Sequence, residues 1–359
     1  MRRTVIGQAK NRHKRMKNIV YILVLLTNLT FGQTVKQTEP EIEKYAKSID
    51  KLKAENKLVK ISYPNMSGCG GGVDGYSLNK NLVLIDATYN AELGFSSRTI
   101  YIDQDKFLKV IYREHFAEWG KYEEKYPHDK FEYDPTKMTY TDTIYSIALT
   151  TPTIFHKTAR NKVVSNKLDQ TLLDRLLSCG QQMKLELQEV IKQVDSLKFV
   201  KEMPYICPGG IQDNKISTGC GDDLYWNAVT LNQKVIELLI DKLDDTTTTE
   251  AFIPMFGSYF KVADIAFWAL EEIIRDIPKF KLMGVNENKS GEYATYDQPY
   301  WKFVNQGIKN RQKFKSAVRE WYHKNKGDLV WVESNNFSSC DCGGKHPNGG
   351  HYKLKTDTK

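Results

Sequence analysis

No stretch of this 359-residue chain stays apolar for the roughly 20 residues that a membrane-spanning helix takes. The N-terminal run Ile19 to Phe31 is interrupted by Thr27, Asn28 and Thr30 and falls short. No cysteine follows it closely enough to carry a lipid, so no stable membrane anchor is expected. Acidic side chains are absent from residues 1–32, which hold seven Lys or Arg, so the formal net charge of +8 falls to 45 basic against 44 acidic side chains in the remainder. With a net charge of only +1 there and no long basic stripe, nothing draws in nucleic acid, and it is not expected as a partner. The glycine-rich stretch SGCGGGVDG, Ser67 to Gly75, is followed by neither Lys-Ser nor Lys-Thr, which excludes a phosphate-binding loop. H-E-x-x-H and H-x-x-E-H are both missing, which excludes the known zinc-protease arrangements. Self-similarity is too weak for a repeat array.

The charge asymmetry has a simple explanation. After a basic segment with a second possible start at Met16, Lys17 opens a short n-region, the apolar run follows, and Thr30-Phe31-Gly32 places small residues where signal peptidase needs them. Residues 1–32 are expected to be a secretory signal, and the protein to be exported to the periplasm or beyond; a buried N-terminal helix is the competing reading. Export bears on the cysteines Cys69, Cys179, Cys207, Cys220, Cys340 and Cys342, which are even in number and in an oxidising compartment favour disulfides. A Cys69 to Cys179 bridge would pin a helix to a sheet, and Cys207 with Cys220 would close a local loop.

Past the signal, Thr38 to Leu58 has Ile42, Tyr45, Ile49 and Leu52 at helical spacing. A β region follows: Lys57 to Tyr63, Leu82 to Tyr89, Arg98 to Ile102, Phe107 to Arg113 and Tyr140 to Leu149 read as strands, Ser67 to Gly75 as a loop, and Asp103 to Lys106 as a hairpin turn. Connections this short imply antiparallel neighbours. Leu168 to Leu197 has the apolar stripe of a long helix able to cover the sheet. Leu224 to Leu243, Ser258 to Pro278 and Trp301 to His323 read as further helices, the second being the most strongly helical, with Ser258 as N-cap and Pro278 as its stop. The expected fold class is α+β, an antiparallel β-meander packed on helices and followed by a small all-α domain. Its expected parts are an α+β domain over 38–200, a cysteine-bearing linker over 201–223, a helical domain over 224–331 and a Cys/His/Gly-rich tail over 332–359.

The segments VADIAFWALEEIIRDIP, KFKLMG and NRQKFKSAVREWYHKNKGDLVW together resemble the helical region of secreted proteins of unknown function from Bacteroidota, with a similarity to HEAT-like helix pairs. The signal ending in FGQ is similar to exported proteins of that group. The resemblance covers about the last 140 residues of the sequence and implies an exported, helical protein. It transfers no catalytic residue.

Two constellations could carry chemistry. In the tail, Cys340, Cys342, His346 and His351 lie within 12 positions, and the intervening glycines would let them fold around one tetrahedral Zn²⁺. Their C-x-C-x3-H-x4-H spacing is not that of a standard finger, and disulfides from Cys340 and Cys342 to partners elsewhere remain open. Zinc is the one cofactor with a candidate site. In the β region, Glu114, His115 and Glu118 could act as general acid and base or hold a metal if the segment were helical, with the two carboxylates on one face. Tyr101, Tyr112, Trp119, Tyr122, Tyr126, Tyr140 and Tyr145 crowd the same region and could stack on sugars or anchor a protein. Because no nucleophile, base and orienter assemble from these motifs, the expected function is non-catalytic binding of a protein or glycan partner. A metal-dependent hydrolase and a disulfide-stabilised structural component of the envelope are the alternatives.

Overall fold

A computed structural model describes residues 37–64, 69–126, 135–205, 211–212, 215–216, 219–253, 257–275, 277–285, 298–334 and 346–355. The expected signal over 1–32 lies outside them. The first helix, Glu39–Ala54 (α1), begins where Glu41 Oε2 accepts from both the backbone N–H and the hydroxyl of Thr38, at 2.7 and 2.9 Å. These bonds satisfy donors that the first helical turn leaves unmet.

Eight strands then follow in simple meander order, each antiparallel to the next: Val59–Pro64 (β1), Gly71–Leu78 (β2), Asn81–Ala91 (β3), Gly94–Asp103 (β4), Lys106–Ala117 (β5), Tyr140–Ala148 (β6), Ile154–Ala159 (β7) and Lys162–Ser165 (β8). A short helix, Trp119–Lys125 (α2), follows β5. Three tips are two-residue turns with both residues at positive φ: Asn79 and Lys80, Gln104 and Asp105, Arg160 and Asn161. Such turns twist in the same sense as the strands they join.

Because side chains alternate across a strand, Leu84 and Tyr101 face one way while Ile85 and Ile100 face the other. The first face is covered by Ile42, Ala46 and Ile49 of α1. The second is covered by Gln170–Asp195 (α3), whose Leu173, Leu176, Met183 and Leu187 join Ile85, Ile100, Val110 and Ile147 in the main core. Helix and sheet approach closely at two glycines. A Cβ on Gly75 would sit 2.7 Å from Leu187 Cδ2, and one on Gly180 would sit 2.8 Å from Ile100 Cδ1. This corrects the reading of Ser67 to Gly75 as a loop: its glycines 71, 72 and 75 are in β2, where the missing side chain at 75 makes room for the helix.

Two two-residue strands, Ile211–Gln212 (β9) and Lys215–Ile216 (β10), precede a mainly helical region: Asp223–Val229 (α4), Ile236–Asp241 (α5), Val262–Ile273 (α6), Lys279–Met283 (α7), Gln298–Val304 (α8) and Ile308–Asn325 (α9). The protein is α+β, as expected. Several expected helices are nevertheless shorter. The segment from Ser258 starts as a strand, Ser258–Lys261 (β12), paired with Thr248–Ile253 (β11). Its helix begins only where Asp264 accepts the Lys261 N–H at 2.9 Å, and it ends at Ile273. Leu224 to Leu243 breaks near Asn232, at φ 53, and Trp301 to His323 breaks at Gly307, at φ 131. The expected tail also folds: Leu329–Glu333 (β13) pairs with Gly350–Leu354 (β14), and Tyr352 bridges to Ile274 beyond α6.

The expected linker does not separate two cores. Buried side chains from Ile61 to Val318 form one contiguous cluster, and Val200 and Met203 are inside it. Its far end closes on itself, with Glu202 Oε1 accepting the Gly219 N–H at 2.8 Å and Asp222 capping α4. No helix of the described residues is long and apolar enough to cross a membrane.

Candidate functional site

A groove of about 750 Å³ opens at the end of the sheet where the β2–β3 and β4–β5 tips stand between α1 and α3. Ile49, Leu78, Leu82, Val83 and Ile191 give it an apolar floor, and Tyr45 lies at its edge. Burial, reinforced by the charge of Asp103, pushes the Tyr45 hydroxyl up to about 12, and the hydroxyl donates to the Ile102 carbonyl. The rim is polar, with Asn79, Asn81, Gln104 and Gln188 contributing amides and Asp103 a carboxylate.

Both tips are held to α3. Asp105 accepts from Lys184 at 2.8 Å and from Gln188 at 2.7 Å, and the Lys184 hydrogen bond holds its carboxyl below the usual range. Lys80 lies 3.7 Å from Asp195, which also pairs with Lys242 at 2.5 Å. Two rigid turns carrying amides around an apolar floor can hydrogen-bond a polar ligand while burying its apolar face. Sequence reading found the turn at Asp103 to Lys106 and missed Asn79 to Asn81. Its signal, Asn-Lys-Asn between Leu78 and Leu82, contains no glycine.

The Glu114, His115 and Glu118 group does not assemble. The segment is strand rather than helix, so Glu114 and His115 point to opposite faces. Glu114 accepts from the Tyr112 and Tyr145 hydroxyls at 2.9 and 3.2 Å. His115 stacks between Phe95 and Tyr140 on the other face, with centroids 5.1 Å away on each side. Glu118 lies beyond the strand end, bound to Thr141 and Lys121. The aromatic residues likewise divide: Tyr101 is core, donating to Asp50 at 3.0 Å, whereas Trp119 and Tyr140 are exposed.

Of the proposed zinc ligands, Cys340 and Cys342 lie outside the described residues. His346 is buried against Glu272 of α6. Its Nδ1 accepts the Asn348 N–H at 3.2 Å, so the proton sits on Nε2, which donates to the Glu272 carboxylate at 2.8 Å. A metal at His346 would have to displace one of these two bonds. His351 is buried in β14, and no group of three His, Cys, Asp or Glu side chains among the described residues is placed to hold a metal. Among the cysteines, Cys69 and Cys179 are both free, which corrects the bridge expected between them. Cys69 is exposed at the rim of the sheet, and Cys179 packs half-buried against the main core from α3. Cys220 is disulfide-bonded, and Cys207 lies outside the described residues.

No protein-family model, curated protein or solved structure matches this chain. The resemblance to secreted Bacteroidota proteins therefore rests on the quoted residues alone.

Proposed function

We propose that this chain is an exported, non-catalytic binding protein that takes a neutral, hydroxyl-rich ligand, a short glycan, in the groove between the two hairpin tips. The observation that supports this is the groove itself: about 750 Å³, within the roughly 300–1,000 Å³ of small-ligand sites, with an apolar floor and a rim of amides fixed to α3. Asn and Gln side chains each offer a donor and an acceptor, which suits paired sugar hydroxyls. With Asp105 paired to Lys184, the rim lysines Lys80 and Lys192 are balanced by Asp103 and Asp195, which favours an uncharged ligand. The separation of Glu114 from His115 removes the one acid–base pair that had suggested hydrolysis.

The test is a panel of short neutral oligosaccharides screened by calorimetry against the mature protein. Binding of at least one is expected, and the double variant Asn81→Ala/Gln104→Ala should weaken it by about tenfold or more with an unchanged melting temperature, since each lost hydrogen bond is worth about 1 kcal/mol. Absence of binding across the panel, or affinity unmoved in the variant, rejects the reading.

A further inference from the structure

Beside α3, on the face that this helix only partly covers, four successive strands contribute a row of side chains in register. Arg98 of β4 pairs with Tyr112 of β5, Tyr112 with Tyr145 of β6, and Tyr145 with Lys157 of β7, so all four project from one face. The Arg98 guanidinium lies 4.8 Å from the ring centroid of Tyr89 in β3 and 5.7 Å from that of Tyr112. The Tyr112 and Tyr145 rings stack at 5.6 Å, and the Lys157 ammonium lies 5.3 Å from the Tyr145 centroid. Ring faces are therefore consumed within the row, so it offers charge and not a stacking platform.

None of these cations touches a carboxylate of the described residues. Elsewhere on the sheet, cations meet carboxylates: Arg113 with Asp142 at 2.7 Å, Lys60 with Asp74 at 2.9 Å and Lys109 with Glu43 at 2.6 Å. Arg98, Lys157 and Arg175, the last on α3, make no ion pair among the described residues. The acids nearest the row have other partners and act on it only through their fields: Glu114 accepts from the hydroxyls of Tyr112 and Tyr145, Asp169 caps α3 and Glu186 accepts from Gln182. The Nε of Arg98 is buried without an acceptor, a donor whose hydrogen bond is unmet in the free protein. A guanidinium held against tyrosine rings and lacking a carboxylate partner keeps charged N–H donors that suit an oxyanion.

We propose that this row is a second binding site, separate from the groove, which takes an oxyanion of a ligand, a carboxylate or phosphate group, on Arg98. Lys157 and Arg175 raise the local anion concentration. Three strand spacings, about 14 Å, separate the Arg98 and Lys157 backbones, so Lys157 acts through its field and not by contact with the same group.

The mature protein would be titrated with succinate and, separately, with inorganic phosphate, at constant ionic strength made up with chloride, and binding followed by calorimetry and melting temperature. Saturable binding of at least one probe is expected, and which one binds identifies the group. Arg98→Gln should weaken it at least tenfold, the double variant Lys157→Gln/Arg175→Gln about threefold, and Asn81→Ala/Gln104→Ala not at all. No saturable binding of either probe overturns the proposal, as does affinity that survives Arg98→Gln. Should Arg98→Gln fail to fold, the exposed-side double variant decides, and unchanged affinity there overturns the proposal.

Discussion

Asp264 sits at the centre of the helical region, 1 % exposed, and its carboxylate gathers three elements. It accepts from Arg311 Nη1 of α9 at 2.7 Å, from the Tyr300 hydroxyl of α8 at 3.0 Å and from the Lys261 N–H at the start of α6. Burial, then the charge of Asp264, drives the Tyr300 hydroxyl well above its ordinary value, so it stays a donor. Removing one member of a buried pair leaves the other charge stranded, which costs more than the intact pair contributes. Asp264→Asn, nearly isosteric, is expected to destabilise the protein by about 3–5 kcal/mol in urea unfolding. Arg311→Met in the same chain should restore part of that loss, because the stranded cation is then gone. A single-variant loss below about 1 kcal/mol would show that the triad is not the tie described. In the sequence this aspartate is one polar letter in VADIAFWAL, and nothing near it names Tyr300 or Arg311 as its partners.

Helix α3 and the sheet meet at Gly75 and Gly180, and the tolerance there is small. A methyl at Gly75 meets the end of Leu187, a side chain that can yield, so Gly75→Ala should cost about 1–3 kcal/mol by overpacking. Combined with Leu187→Ala, the two changes should be less than additive, because the truncated leucine makes room; a double-mutant cycle measures that coupling. Strict additivity would place the helix further from the sheet than described. The same contact shows where sequence reading stops. Strands β3 to β6 were legible from runs such as LVLIDATY and FLKVIYR, whose β-branched and aromatic residues suit a half-buried pleated surface. Strand β2 was hidden by the glycines that its packing requires, and β7 and β8 by a tip, Arg160-Asn161, with no glycine to mark it. Strand β12 was absorbed into the helix after it, since SYFK continues an apolar pattern that only the pairing with β11 resolves into a strand. The groove was less legible still. Asn81, Gln104 and Gln188 converge only because two tips and one helix meet in space, and periodicity says nothing about that meeting.

At the scale of the whole molecule, the shared core couples the sheet to the helices. Tyrosines in both regions are buried enough to resist ionisation: burial pushes Tyr63 and Tyr145 of the sheet up to about 12, with nearby carboxylates adding to it. Burial and Asp50 raise Tyr101 further, and burial and Glu237 do the same for Tyr322 of α9. An unfolded tyrosine ionises near 10. Each raised hydroxyl therefore contributes stability that is fully present below about pH 10 and is lost as pH climbs toward the folded value, because the unfolded chain releases the proton first. Alkaline titration should accordingly unfold the protein above about pH 10. The buried tyrosines' share of the tyrosinate absorbance, the strand signal and the helix signal in circular dichroism should move together in one transition, because none of Tyr63, Tyr101, Tyr145 and Tyr322 can ionise fully while the common core holds. Two separated steps, one carrying the strand signal and one the helix signal, would mean that the sheet and the helical region have independent stability and that the cluster from Ile61 to Val318 does not act as one core.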